Sequence, residues 1–176
     1  PFHARWRPFV VAVVDRWRSL DAAAGFADAG ARGRAAYDLA IVSVLLDAGA
    51  GPAWRYRDGL TGMLIGRSEG LALASLDMFA AGLFSGDPAD PLRVDSAVLK
   101  RLDAASLAEG FQAGEANPLV SLEGRAALLN RLGEELEKHG LDRPGGLFDR
   151  LFAAAEGGTL RASYILSQVL EVLGGI

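Results

Sequence analysis

At 176 residues the chain is long enough for one domain with a full core, and 51% hydrophobic residues with a mean hydropathy of +0.20 supply the side chains to fill it. A net charge of −4 and a pI near 5.2 argue against a general nucleic-acid or membrane-surface role, and no apolar run reaches the roughly 18 residues that a membrane span needs. Cysteine is absent, which excludes a disulfide framework and thiolate chemistry, and the two histidines, His3 and His139, lie too far apart in sequence to give a metal-ligand spacing. The expectation is a cytoplasmic protein with no metal and no cofactor. The abrupt ends, Pro1 without a methionine and Ile176 just after a helical pattern, suggest a fragment of a longer protein.

In chain order, Phe2, Trp6, Phe9, Val10, Val13, Val14 and Trp17 recur at mixed three- and four-residue spacings, which predicts a short amphipathic helix over 8–18. Trp6 and Trp17 suit core packing; His3 and Arg5 beside Trp6 also suit a pocket rim. Residues 21–33, rich in Ala, Gly and Asp, read as a loop. Residues 34–48 carry Tyr37, Leu39, Ile41, Val42, Val44, Leu45 and Leu46 on nearly all sides, so a buried central helix is expected there, interrupted by Asp38 and Ser43. Asp47 falls in its last turn and reads as an exposed end residue. Gly49, Gly51 and Pro52 stop it.

The stretch 54–70 differs in kind. It combines Trp54, Tyr56, the arginines Arg55, Arg57 and Arg67, the carboxylates Asp58 and Glu69, and several glycines. In an extended chain Trp54 and Tyr56 share one side and Arg55 and Arg57 the other. Asp58-Gly59 and Thr61-Gly62 are turn signals, so a small hairpin or irregular loop is expected at 54–67. Arg67, Ser68 and Glu69 lead into a helix whose N-terminal amides point back at the loop. Arginines and helix N-termini are the two usual anion holders. The same residues also fit a plainer arrangement, with Ser68 as a helix cap and the arginines paired to Asp58 and Glu69.

Beyond it, a helix is expected over 69–84, with Met78 and Phe79 in the core, then a rigid polar connector over 85–91. Asp95 and Asp103 are placed to cap short helices over 96–102 and 104–111. After a loop at 112–116, Asn117 and Pro118 read as the start of the longest helix, running to His139. Leu119, Leu122, Ala126, Leu129, Leu132 and Leu136 form its stripe, and Glu123 and Arg125 lie in its first half. A turn at 142–146, a helix over 147–155, a break at Gly157-Gly158 and a helix over 160–173 capped by Thr159 complete the chain. The expected fold is all-α: a single compact bundle of about seven to eight helices, with the hairpin-like loop at 54–67.

Several strings carry a family resemblance: Pro1-Phe-His-Ala-Arg-Trp-Arg, the run from Tyr37 through Asp47 to Arg57, Gly66-Arg-Ser-Glu-Gly-Leu-Ala, the run from Met78 to Asp95, Asn117-Pro-Leu-Val-Ser-Leu-Glu-Gly-Arg, and Arg143-Pro-Gly-Gly-Leu-Phe-Asp. With these, the chain resembles the uracil-catabolism protein family of fungi and bacteria, a domain of unknown function. The resemblance implies a role in breaking down uracil by way of its ribosylated form, near a ring-opened ribosylurea. It also implies that family proteins continue beyond Ile176 into a further acidic segment, so this chain would hold the substrate-binding half. A weaker similarity links the order of elements, the helix 37–49 and the segment with Pro118, Glu123, Arg125 and Asn130 to queuosine-salvage nucleoside hydrolases. That likeness implies cleavage of an N-glycosidic bond, which needs a carboxylate near the anomeric carbon.

The candidate site follows. Glu69, Glu123 and Asp58 are the candidate catalytic carboxylates. Arg55, Arg57 and Arg67 would hold an anionic or ureido group of a ribosylated pyrimidine derivative, Trp54 or Tyr56 would stack on it, and Ser68 and Arg125 would add donors. The alternative is a non-catalytic helical module that binds a small molecule or another protein. No nucleic acid and no membrane is expected as a partner; contact with a missing C-terminal segment or a second subunit is.

Overall fold

The computed structural model of the chain describes residues 14–47 and 49–156. The expected helix over 160–173, its Thr159 cap, the Gly157-Gly158 break, and Phe2, His3, Arg5, Trp6 and Phe9 lie outside them. Helix α1 covers residues 14–24. Then follow α2 (Ala29–Leu46), β1 (Arg55–Arg57), β2 (Leu64–Gly66), α3 (Arg67–Ala80), α4 (Ser96–Leu99), α5 (Ala104–Gly110), α6 (Leu122–Lys138) and α7 (Gly145–Glu156). The architecture is mostly helical but not all-α. The strands pair antiparallel, with Arg55 opposite Gly66, Tyr56 opposite Ile65 and Arg57 opposite Leu64. The period-two alternation of Trp54, Arg55, Tyr56 and Arg57 around a Gly-containing turn is what makes a hairpin here.

Boundaries moved where side chains found other partners. Helix α2 starts five residues before the expected 34, because Asp28 accepts from the Ala31 amide at 2.7 Å as an N-cap. Gly30 and Gly33 mask that start in composition. Gly33 serves packing instead: a Cβ there would meet the Phe148 ring of α7 at 2.6 Å. Asp103 caps α5 as expected, accepting from the Ser106 amide at 2.8 Å. Asp95 stands at the N-cap position of α4 but makes no cap bond; its carboxylate accepts from the Gly86 amide at 2.8 Å and pairs with Arg93. Asn117 does not open a helix, since α6 begins at Leu122 and the Asn117 side chain crosses to β1.

The packing has two halves joined where α2 meets α6 and α3 meets α5. Helix α2 packs on α3 and α7, while α4 and α5 pack on α6, which also touches α2. The hairpin lies on α3. Trp54, Phe79, Phe84, Phe111, Leu129, Leu132 and Leu136 are fully buried along the seam. Met78 and Phe79 are core residues, as expected, and Asp47 is exposed. Small residues set the close approaches. A Cβ at Gly133 would sit 2.6 Å from the Ser96 carbonyl oxygen of α4, and one at Gly70 would sit 2.5 Å from the Ile65 carbonyl oxygen. Asn130 of α6 ties α4 down by donating to the Leu99 and Leu102 carbonyls at 2.7 and 3.0 Å.

Candidate functional site: an arginine face on the hairpin

The two faces of the hairpin divide its side chains sharply. Inward, Trp54 is fully buried and donates from Nε1 to the Phe111 carbonyl at 3.1 Å. It stacks on Tyr56 at 6.4 Å and meets Phe111 edge-on at 6.0 Å. Tyr56 is also buried, and its hydroxyl donates to Asp77 at 2.6 Å. Burial, and then that hydrogen bond, push the phenol well above its ordinary value. Neither aromatic has a ring face open to solvent; both anchor the hairpin in the core.

Asp58 faces the same way and is nearly buried. It organises the turn by accepting from the Leu60 amide at 3.3 Å, the Thr61 amide at 3.1 Å and the Thr61 hydroxyl at 2.5 Å. Arg16 of α1 reaches it at 2.7 Å and also binds Asp77 at 2.9 Å. Burial alone would raise the Asp58 carboxyl. The Thr61 hydroxyl, the two amides and Arg16 together outweigh burial and hold it below its ordinary value. A cleft of about 170 Å³ opens beside this network, between Arg16 and Ser19 of α1 and Leu60 and Thr61 of the turn. Its lining includes Asp58 and none of the hairpin arginines.

Outward, Arg55 and Arg57 lie on one exposed face, and Arg67 follows at the first residue of α3. Arg55 lies directly over Gly66: a Cβ there would meet its Cδ and Nη1 at 3.0 Å. The glycine therefore lets Arg55 lie against the backbone that leads into Arg67. Arg55 donates to the Pro52 and Trp54 carbonyls at 2.8 and 2.7 Å, and Arg57 to Gly62 at 3.3 Å, which leaves further N–H donors on each guanidinium. Among the described residues none of the three pairs with a carboxylate. Pairing of the arginines to Asp58 or Glu69, the plainer arrangement, does not occur.

The N-terminus of α3 abuts this face. Its N-cap is Gly66, with no side-chain cap bond, and Ser68 sits inside the helix rather than capping it. The first amides of α3 are thus uncapped by any side chain. Arg67 adopts φ 57°, in the left-handed region that a side-chain-bearing residue rarely takes. Glu69, half-buried in the first turn of α3, is the carboxylate that the sequence sets beside Arg67.

Two candidates fall elsewhere. Arg125 is fully buried on α6, and its guanidinium donates to the Leu46 and Gly49 carbonyls with Phe111 beneath it at 5.7 Å. It closes the C-terminal end of α2. Burial lowers its pKa, with Asp47 opposing. Glu123 is exposed in the first turn of α6.

Other polar residues hold the site in place without having been legible as part of it. Gln112 and Asn117 run along the outer edge of β1 as a substitute strand. Asn117 accepts from the Arg55 amide and donates to its carbonyl, each at 2.8 Å, and Gln112 does the same for Arg57 at 3.0 and 3.1 Å. Arg16 and Asp77 fasten the inward face. The signals were slight: an aspartate in the apolar run of 71–84, and two amides flanking Gly114.

Comparison with known proteins gives a consistent placement. The profile of the family described as "Protein of unknown function (DUF1688)" matches residues 1–176. The chain is 42% identical over 160 residues to "Protein urg3" of Schizosaccharomyces pombe, covering 89% of this chain and 38% of that protein. It is 36% identical over 168 residues to "Uracil catabolism protein 4" of Lachancea kluyveri, covering 87% of this chain and 37% of that protein. The chain therefore spans well under half the length of the curated relatives it matches. No solved structure matches it. A profile match along the whole chain, with two relatives above one-third identity, means that this protein belongs to the family described as "Protein of unknown function (DUF1688)".

Proposed function

We propose that this chain is the anion-binding part of a uracil-catabolism protein acting on a ribosylated pyrimidine derivative, and that the reaction is hydrolysis of its N-glycosidic bond. The relative named "Uracil catabolism protein 4" supports the pathway. The observation that carries the binding role is the row of Arg55, Arg57 and Arg67, unpaired with any carboxylate among the described residues and set against the uncapped start of α3. Such a face suits a phosphate or ureido group, which accepts several N–H donors at once. In the hydrolysis the bond from the anomeric carbon to nitrogen breaks and a water oxygen takes its place. The leaving nitrogen gains a proton, and a carboxylate stabilises the developing positive charge. Glu69 fits that role best within this chain, because the acceptor positions of Asp58 are filled by Arg16, Leu60 and Thr61.

A second reading, a binding module whose catalytic carboxylate lies in the rest of a longer protein, is favoured by the share of the relatives this chain covers. One pair of experiments tests binding and hydrolysis, and glutamine at the position of the relative aligned with Glu69 separates the readings, since it abolishes urea release only if the catalytic carboxylate lies in this chain. The full-length Lachancea relative is incubated with ribosylurea and its 5′-phosphate, and released urea is measured. This chain is titrated with the same compounds by calorimetry, as wild type and as Arg67→Gly, a substitution that the φ of 57° tolerates. Expected are urea release by the relative, and binding to this chain weakened about tenfold or more in the variant, the loss of one charge-assisted contact. Absence of binding with or without phosphate sinks the anion role. Binding to this chain with no urea from the relative sinks the hydrolysis.

A further inference from the structure

The hairpin closes only one of its two edges. Along β1 the outward groups belong to Arg55 and Arg57, which bond to the amides of Asn117 and Gln112, so the groups of Tyr56 turn toward β2. The Asp58 amide continues that inward series by donating to Met63 at 2.9 Å. On β2 the inward residues are therefore Met63 and Ile65, and Leu64 and Gly66 turn outward. The sheet has two strands; the Gly66 carbonyl, at the N-cap of α3, opens that helix, and among the described residues no hydrogen bond reaches the Leu64 amide and carbonyl or the Gly66 amide. This bare edge is also apolar. Leu60, Met63 and Leu64 are 78%, 63% and 59% exposed, and β2 holds neither proline nor lysine to discourage pairing.

We propose that the β2 edge is the docking site for an extended strand from the portion of the family protein outside this chain, with apolar side chains lying over Met63 and Leu64. Two observations choose that occupant. Well over half of each curated relative lies outside the matched region. Leu64 also shares its sheet face with Arg55 and Arg57, so a strand added to β2 raises a wall beside the arginine row and turns an open face into one side of a cleft. A second copy of this chain is the poorer fit. Pairing β2 with itself would lay two rows of unpaired arginines on one continuous face, where like charges repel. The inference concerns the backbone edge and does not depend on what the arginines bind.

Amide hydrogen exchange tests it, on this chain alone and on the full-length Lachancea protein. In the chain alone, the Leu64 and Gly66 amides are expected to exchange freely at every concentration. In the full-length protein the aligned amides are expected to be slowed by roughly 100-fold or more. Proline at the position aligned with Leu64 removes one outward N–H. It should release the amide aligned with Gly66 while α3 stays protected; loss of α3 protection would instead mark an unfolded variant, and the comparison of the two unmodified proteins then decides. Free exchange in both proteins overturns the proposal. So does protection in the chain alone that grows with concentration, which would assign the edge to a second copy.

Discussion

Arg125 shows how a single side chain can mislead when read from sequence. It follows Glu123 at the head of a long helix, a position that suits a pocket, yet it is fully buried and spends its donors on the last carbonyls of α2. The carbonyls at a helix end lack intrahelical partners, and the chain after Leu46 turns away through Gly49, whose φ is 80°. The long Arg125 guanidinium, with five N–H donors, reaches two carbonyls there at once. Replacing it by methionine keeps much of the volume but leaves those carbonyls without a donor. Arg125→Met is expected to lose about 2–4 kcal/mol, partly offset because a desolvated charge also disappears. Urea unfolding of wild type and variant measures it; a loss below about 0.5 kcal/mol would mean that the cap contributes little.

At the scale of elements, the hairpin is the unit that sets out the arginine face, and it is held from three sides. Trp54 and Tyr56 anchor it inward, Gln112 and Asn117 complete one edge, and Gly70 lets it sit on α3. Gly70 is the strictest of these contacts. A Cβ would stand 2.5 Å from the Ile65 carbonyl oxygen and 3.0 Å from the Trp54 ring, neither of which can give without moving the hairpin. Helix propensity alone favours alanine over glycine by about 1 kcal/mol at such a position. Overpacking costs about 1–3 kcal/mol and should win. Gly70→Ala is therefore expected to lower the melting temperature and to weaken anion binding together. A variant more stable than wild type would show that the hairpin sits more loosely than these distances imply. The hairpin itself was legible, from alternation and turn residues. Its supports were not, because Gln112 and Asn117 act across more than fifty residues of sequence and carry no local pattern.

For the whole molecule, the junction of α2 and α7 matters most. Asp38 is fully buried, takes the Arg143 guanidinium at 2.5 Å and caps α7 by accepting from the Gly145 amide at 2.5 Å. Burial raises its pKa from 3.8 to about 7, against the opposing pull of Arg143 and of the Gly145 and Val94 amides. The folded state thus holds this proton more tightly than the unfolded chain. The stability it contributes is complete below the unfolded value near 3.8 and is lost as pH rises through about 7. Between about pH 5 and about pH 8, wild type is expected to lose up to about 3 kcal/mol relative to Asp38→Asn, which has no proton to lose. Denaturant midpoints at the two pH values give the difference. Parallel curves would mean that Arg143 keeps Asp38 ionised throughout.

The sequence by itself determined what depends on neighbours along the chain. Apolar periodicity set a mostly helical domain, Gly49 and Pro52 marked the end of α2, Asp103 its helix cap, and residues 54–67 a hairpin with tryptophan and tyrosine on one side and arginines on the other. The family, too, was legible in its strings. Tertiary structure decided which polar groups were left over. Trp54, Tyr56, Asp58 and Arg125 read in sequence as site candidates just as the exposed arginines do, but burial and distant partners (Phe111, Asp77, Arg16, and the Leu46 carbonyl) commit them to holding the fold. A buried polar group must be satisfied wherever its partner lies, and that partner can stand anywhere along the chain. Arg55, Arg57 and Arg67 remain available because no carboxylate among the described residues reaches them.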